Sequence, residues 1–195
     1  IRGNLQSRRL ESIVTEAKKL AAQGTKELII ISHDFTDYGW DLRRKDPQAP
    51  ENPVSLLKAL ADVEGIEWVR VLYLYPDGIT PEMIQLIKTH PKLVKYFDMP
   101  LQHINNEVLK SMNRKMTREE IETVLMNIRE EIPDAVIRTQ FIVGFPGETE
   151  EDFAQTLALV NEVDYAQAYS FAYSPRPGTP ASGLQDQIPV SEKEA

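Results

Sequence analysis

Five short apolar runs, each preceded by a stretch with helical spacing, constrain this chain more than any other feature. The runs are "ELIIIS" (Glu27 to Ser32), "IEWVRVLYLY" (Ile66 to Tyr75), "VKYFDM" (Val94 to Met99), "AVIRTQFIV" (Ala135 to Val143) and "AQAYSFAY" (Ala166 to Tyr173). Each is strand-length and rich in β-branched or aromatic residues. The first shows no polar alternation, which predicts a strand buried on both faces. Between the runs, apolar residues recur at intervals of three and four. Alternation of this kind predicts an α/β fold with a parallel sheet and right-handed crossovers. A barrel, a partial barrel and an open doubly wound sheet all satisfy it.

Local signals mark the helix starts. Leu10, Ile13, Val14, Ala17 and Leu20 form the first periodic stretch, and Gly24 follows it as a stop. Asn52 is placed to cap a helix with Pro53 at its first position, and Leu56, Leu57 and Leu60 would face inward. Thr80-Pro81 opens a helix carrying Ile84 and Ile87. "TREE" (Thr117 to Glu120) is a capping box before Ile121, Val124, Leu125 and Ile128. "TEED" (Thr149 to Asp152) is a variant box with Asp in the last place, before Phe153, Leu157 and Val160. The stretch "DYGWDLRRKDPQAPENP" (Asp37 to Pro53) reads as a long loop, and long loops are more often functional than scaffold. The tail from Ser174 is rich in Pro and Gly and reads as irregular.

Composition excludes several classes. With no cysteine among 195 residues, these residues supply no disulfide, no thiolate-held zinc, no iron–sulfur ligand and no cysteine nucleophile. A net charge of −8 argues against unspecific nucleic-acid binding, although Arg43, Arg44 and Lys45 form a local basic patch. The amino-terminal "IRGNLQSRRL" lacks the apolar core of a signal peptide, and no apolar run approaches a membrane span. A cytoplasmic location is the resulting expectation.

In parallel α/β folds, ligands bind beyond the carboxyl ends of the strands. That rule picks out Ser32, His33 and Asp34 after the first run; Tyr73, Tyr75 and Pro76 after the second; Pro100, Gln102 and His103 after the third; Gly144 to Glu148 after the fourth; and Tyr173 and Ser174 after the fifth. The turn "VGFPGE" has neither the lysine nor the spacing of a phosphate loop, so its glycines either let a backbone approach a ligand or only make a turn. His33, Asp34 and His103 are a possible metal set for a barrel hydrolase, against the commoner reading as ordinary polar residues. Asp98, inside a strand, reads as a structural hydrogen-bond acceptor. Glu148, Glu150, Glu151 and Asp152 read as carboxylates favouring a helix dipole. A non-catalytic binding domain also fits this pattern.

Seven segments carry more. "IRGNLQSR", "ELIIISHDFTDYG", "VRVLYLYPDGIT", "YFDMPLQH", "VLKSMNR", "IRTQFIVGFPGETEEDF" and "YSPRPGTPA" occur in order along nearly the whole chain. Together they resemble the radical S-adenosylmethionine methylthiotransferases. Most of the chain is similar to the branch that methylthiolates an aspartate of a small-subunit ribosomal protein, although His33 stands where that branch has Gln. "AYSFAYSPRPGTPA" is closer to the branch that methylthiolates a tRNA adenosine. The resemblance implies a partial (β/α)6 TIM-type barrel, with the first strand and the three-cysteine cluster loop missing upstream of Ile1. It implies a core over residues 1–174, with the tail 175–195 leading toward an absent RNA-binding domain. It implies S-adenosyl-L-methionine and [4Fe–4S] clusters as cofactors, the cluster ligands lying outside these residues and no metal held by them. A ribosomal protein or tRNA substrate, an electron donor and a monomeric state complete the expectation.

The resemblance also implies cofactor-binding roles. Ser32 and Asp34 stand where such enzymes hold the methionine ammonium. Gln102 would bond ribose or substrate, and Arg138 would pair with the methionine carboxylate. Val143, Gly144 and Phe145 would lie against the adenosyl group, with Tyr173 bordering adenine. Arg2 and Arg8 would shape the loop behind the cluster or make surface pairs. A barrel without its first strand would leave "ELIIIS" with an unpaired, aggregation-prone edge.

Overall fold

The computed structural model describes residues 3–193, so Arg2 lies outside the described residues. The elements run α1 (Leu10–Ala22), β1 (Glu27–Ile30), α2 (Trp40–Lys45), α3 (Pro53–Ala61), β2 (Trp68–Val71), α4 (Pro81–Thr89) and β3 (Tyr96–Gln102). They continue through α5 (Asn106–Ser111), α6 (Arg118–Glu131), β4 (Val136–Val143), α7 (Glu150–Val163), β5 (Gln167–Ala172) and α8 (Val190–Lys193). All five expected strands form. The chain divides into two units, Ile1–Asp98 with Ile128–Ala135, and Met99–Asn127 with Val136–Ala195.

In the first unit, β1 pairs in parallel with β2, from Glu27 opposite Trp68 to Ile30 opposite Val71. The far side of β2 is bonded to the chain after α4, where Val69 N–H donates to Lys92 O and Val94 N–H to Val69 O. Strand β1 is therefore the edge among the described residues, as expected. It is not buried on both faces. Leu28 enters the core, but Ile29 is 50% exposed and Ile31 65%.

The helix caps are the ones the residues dictate. Asn52 Oδ1 accepts from Ser55 N–H at 2.8 Å, and Thr80 Oγ1 accepts from Met83 N–H at 3.2 Å. Each satisfies an N–H that the first helical turn leaves without a partner, which is worth about 1 kcal/mol. Leu56, Leu57, Leu60, Met83, Ile84 and Ile87 are buried on the inner faces of α3 and α4. Each such side chain contributes about 1.5–3 kcal/mol through removal from water.

In the second unit the sheet order is β3-β4-β5, with β4 and β5 parallel from Arg138 opposite Gln167 to Val143 opposite Ala172. Ile137, Thr139 and Phe141 point into the core, while every residue of β5 is exposed. Both capping boxes form. Thr117 N–H donates to Glu120 Oε2 at 2.8 Å, and Thr149 N–H donates to Asp152 Oδ2 at 2.9 Å.

Other expectations change. The loop Asp37–Pro53 contains α2, whose Arg43 guanidinium donates to the carbonyls of Tyr38 and Glu51. The basic patch is thus partly spent on the loop itself. Helix α5 is capped by Asn105 and lies where no helix was expected. On α7 the buried positions are Thr156 and Leu159, whereas Leu157 is 47% exposed. The tail carries a 3₁₀ turn, Pro180–Gly183, and the short α8.

Candidate functional site

In the first unit, the chain beyond β1 places Ser32 and His33 in solvent and Asp34 half-buried. Asp34 Oδ1 accepts from Thr36 N–H at 2.8 Å and from Thr36 Oγ1 at 2.5 Å. Burial pushes the Asp34 carboxyl up from its ordinary value, the Thr36 bonds opposing this and Asp37 and Asp77 adding to it. Both Thr36 bonds fall on the one oxygen, Oδ1. A cavity of about 430 Å³ adjoins this carboxyl, lined by Asp34 and Ser7 and by apolar residues including Ile13, Leu28 and Leu60.

Beyond β2 the backbone turns sharply. Tyr73 has φ 60°, an uncommon conformation for a residue with a side chain. Its N–H donates to Oδ2 of Asp98, which is 1% exposed. Asp98 is thus the structural acceptor that its place in a strand suggested.

The long loop has a role that sequence reasoning missed. Gly39 N–H donates to Ser7 Oγ at 2.9 Å, Ser7 N–H donates to Asp41 Oδ2 at 3.1 Å, and Tyr38 O–H donates to Arg8 O at 3.0 Å. Glu51, 3% exposed, accepts from Leu10 N–H at the start of α1. The loop therefore latches the segment entering α1. Arg8 itself pairs with Glu16 at the surface, as one of its two expected roles required. The signal present in the sequence was the unusual length of that loop.

In the second unit, Val143, Gly144, Phe145 and Tyr173 come together. Tyr173 N–H donates to Val143 O at 2.8 Å, and the Phe145 and Tyr173 rings meet edge to face at 5.1 Å. Gly144 has φ 71° and Gly147 φ 82°, so the turn needs glycine at both places. The Tyr173 hydroxyl is buried without a hydrogen-bond partner among the described residues. Leaving such a group unsatisfied costs about 1–3 kcal/mol, so a ligand that accepts from it would be stabilised. Lys193 of α8 was not anticipated. Its Nζ donates to Tyr173 O at 2.9 Å, and its side chain occupies the space a Gly144 Cβ would need.

Arg138 lies away from that turn along β4. It stands five positions before Val143, roughly 16 Å down the strand. Its guanidinium sits over the Tyr169 ring at 4.7 Å. Gln102 is 7% exposed with φ 74° at the end of β3. The metal set fails at His103, which is fully buried: Nδ1 accepts from Asn105 N–H at 3.0 Å and Nε2 meets Glu148 Oε1 at 3.2 Å. Among the described residues, no group of three His, Cys, Asp or Glu is placed to hold a metal. Glu148, expected to serve a helix dipole, is instead buried in this contact, its side chain 4% exposed.

The Radical SAM superfamily model matches residues 1–160. The chain is 64% identical over 194 residues to the ribosomal protein uS12 methylthiotransferase RimO of Bdellovibrio bacteriovorus, covering all of this chain and 42% of that protein. It is 49% identical over 188 residues to RimO of Clostridioides difficile, covering 96% of this chain and 41% of that one. The chain therefore spans less than half the length of these relatives. Among solved structures, the radical S-adenosylmethionine methyltransferase TsrM from Kitasatospora setae, with cobalamin and a [4Fe-4S] cluster, matches with TM-score 0.61 and 20% identity, over 90% of this chain and 31% of that one. Streptococcus suis SuiB bound to S-adenosylmethionine matches with TM-score 0.59 and 10% identity, over 99% and 40%. Those likenesses establish the fold, and the expected α/β partial-barrel class is the one they support. The chain belongs to the Radical SAM superfamily.

Proposed function

We propose that this chain is the radical S-adenosylmethionine core of a methylthiotransferase whose substrate is ribosomal protein uS12. The observation that carries the reading is the 64% identity, over the whole chain, to a relative named for that activity. The modified residue would be an aspartate, and the work would be done in the cytoplasm beside the ribosome. No helix among the described residues is long and apolar enough to cross a membrane. The core would extend over residues 1–174, with 175–195 leading toward an RNA-binding domain.

The strand-end residues fit S-adenosyl-L-methionine. Asp34 offers a carboxylate oxygen to the methionine ammonium, and that cation would offset the burial that now disfavours its charge. Ser32 lies two residues before it on the same strand end. Val143 and Gly144 offer a backbone that an adenosyl group can approach, Phe145 an apolar wall, and Tyr173 a hydroxyl in need of an acceptor. Gln102 would reach ribose or substrate. The support for Arg138 as the carboxylate partner is weaker, because it lies well down its strand from the turn. With no cysteine here, these residues do not fit an iron–sulfur cluster, and no step is assigned to one. When bound, S-adenosylmethionine supplies the adenosyl and methyl groups for this class of reaction. Ser32 and Asp34 of the first unit would hold its methionine end, and Val143, Gly144, Phe145 and Tyr173 of the second would hold its adenosyl end.

The test uses the full-length protein, assembled anaerobically with its clusters and an electron donor. Incubated with uS12 and S-adenosylmethionine, it is expected to add the mass of one methylthio group to a single aspartate. Unmodified uS12 under turnover conditions would overturn the assignment. The second reading, a tRNA adenosine substrate, rests on the tail "AYSFAYSPRPGTPA". A parallel reaction with tRNA decides between them.

A further inference from the structure

We infer that His103 and Glu148 are positioning residues that set the Phe145 turn for S-adenosylmethionine, an inference that rests on reading that turn as a wall of its site. The two are 45 positions apart and almost wholly withdrawn from solvent. They form one directional chain of hydrogen bonds. Asn105 N–H donates to His103 Nδ1, so the ring proton sits on Nε2 and points at Glu148 Oε1. The other Glu148 oxygen, Oε2, accepts from Phe145 N–H at 2.9 Å. A parallel tie runs alongside: Asn105 Nδ2 donates to Asp152 Oδ1 at 2.6 Å, while Asn105 Oδ1 caps α5. The end of β3 thereby holds the backbone of the turn after β4.

The chain admits no isosteric substitute. In Glu148→Gln, one oxygen and one NH2 replace two acceptors. If the amide oxygen faces His103, its NH2 meets Phe145 N–H, donor to donor. If the oxygen faces Phe145, His103 must accept on Nε2 and carry its proton on Nδ1, against Asn105 N–H. Every arrangement leaves one buried donor without an acceptor. The displaced group lies next to Gly144 and to the Phe145–Tyr173 ring contact, so the cost falls on the wall of the site.

The experiment uses the full-length holoenzyme. Glu148→Gln is expected to weaken equilibrium binding of S-adenosylmethionine about tenfold. Its turnover at saturating S-adenosylmethionine and its iron content should change less than about twofold, and amide exchange at Phe145 and Asn105 should quicken. Asn105→Ser keeps the α5 cap but loses the tie to Asp152; it should show a smaller loss, about threefold, and it carries the test if Glu148→Gln does not fold. Gly144→Val probes the underlying reading directly. If Gly144→Val weakens binding while the variants at Glu148 and Asn105 bind as wild type, the positioning role is overturned and the site stands. If Gly144→Val also binds as wild type, the site reading falls and takes this inference with it.

Discussion

Tyr73 and Asp98 are joined by a hydrogen bond from the Tyr73 N–H to the Asp98 carboxylate at 3.2 Å, across 25 positions of sequence. The bond holds a left-handed residue at the end of one strand against the middle of the next. Asp98→Ala takes away that acceptor, the buried partner of a part-buried bond. Chemical denaturation should show a loss of about 2–3 kcal/mol, with Asp98→Asn recovering more than half. A loss below about 0.5 kcal/mol for the alanine variant would remove Asp98 from this role.

Gly39 tests the latch between the long loop and the segment entering α1. It has φ 79°, and a Cβ there would collide with the backbone of Glu51. Gly39→Ala therefore combines backbone strain with overpacking, and should cost about 3 kcal/mol or more. Limited proteolysis should then cut near Ser7 before the rest of the domain. A variant as stable and as resistant as wild type would mean that the loop does not constrain that segment.

Asp34 has a pH signature. Burial raises its carboxyl pKa in the folded chain, so between its ordinary value and the raised one the folded state binds more protons than the unfolded state. This group's contribution to stability therefore falls as pH rises through that window and stays lower above it. Asp34→Asn keeps an oxygen for Thr36 and removes the buried charge. Its melting temperature should match wild type near pH 3 and exceed it at pH 7, while S-adenosylmethionine binding by the full-length protein weakens. Equal melting temperatures at both values would contradict the burial argument.

The exposed edge at β1 predicts a solubility effect. Ile31→Lys places a charge on a residue that is 65% exposed, beside an edge that is unpaired among the described residues. Stability of the 195-residue chain should change by less than about 0.5 kcal/mol, while light scattering on standing at micromolar concentration should fall severalfold. Unchanged scattering would show that another surface drives association.

The features legible in the sequence were the local ones. Strand runs, helix caps at Asn52, Thr80, Thr117 and Thr149, and the glycines of the β4–α7 turn each depend on residues within a few positions of one another. Two helices of six residues, α2 and α5, were missed because so short a stretch shows no period. On α7 the spacing from Phe153 reaches Leu157, but packing buries Thr156 and Leu159 and leaves Leu157 exposed. The motif order also led correctly to the superfamily.

By itself the sequence determined an alternating α/β chain with its polar residues at the strand ends. Backbone propensity, capping and hydrophobic periodicity are properties of neighbouring residues, so no distant contact is needed to express them. Only the tertiary structure decided that His103 is buried against Glu148, that Glu148 is not a surface carboxylate, and that the long loop holds Ser7. Those roles depend on which buried donor meets which acceptor. Pairs such as His103 with Glu148, or Ser7 with Gly39, are set by the packing of strands and loops 45 and 32 positions apart.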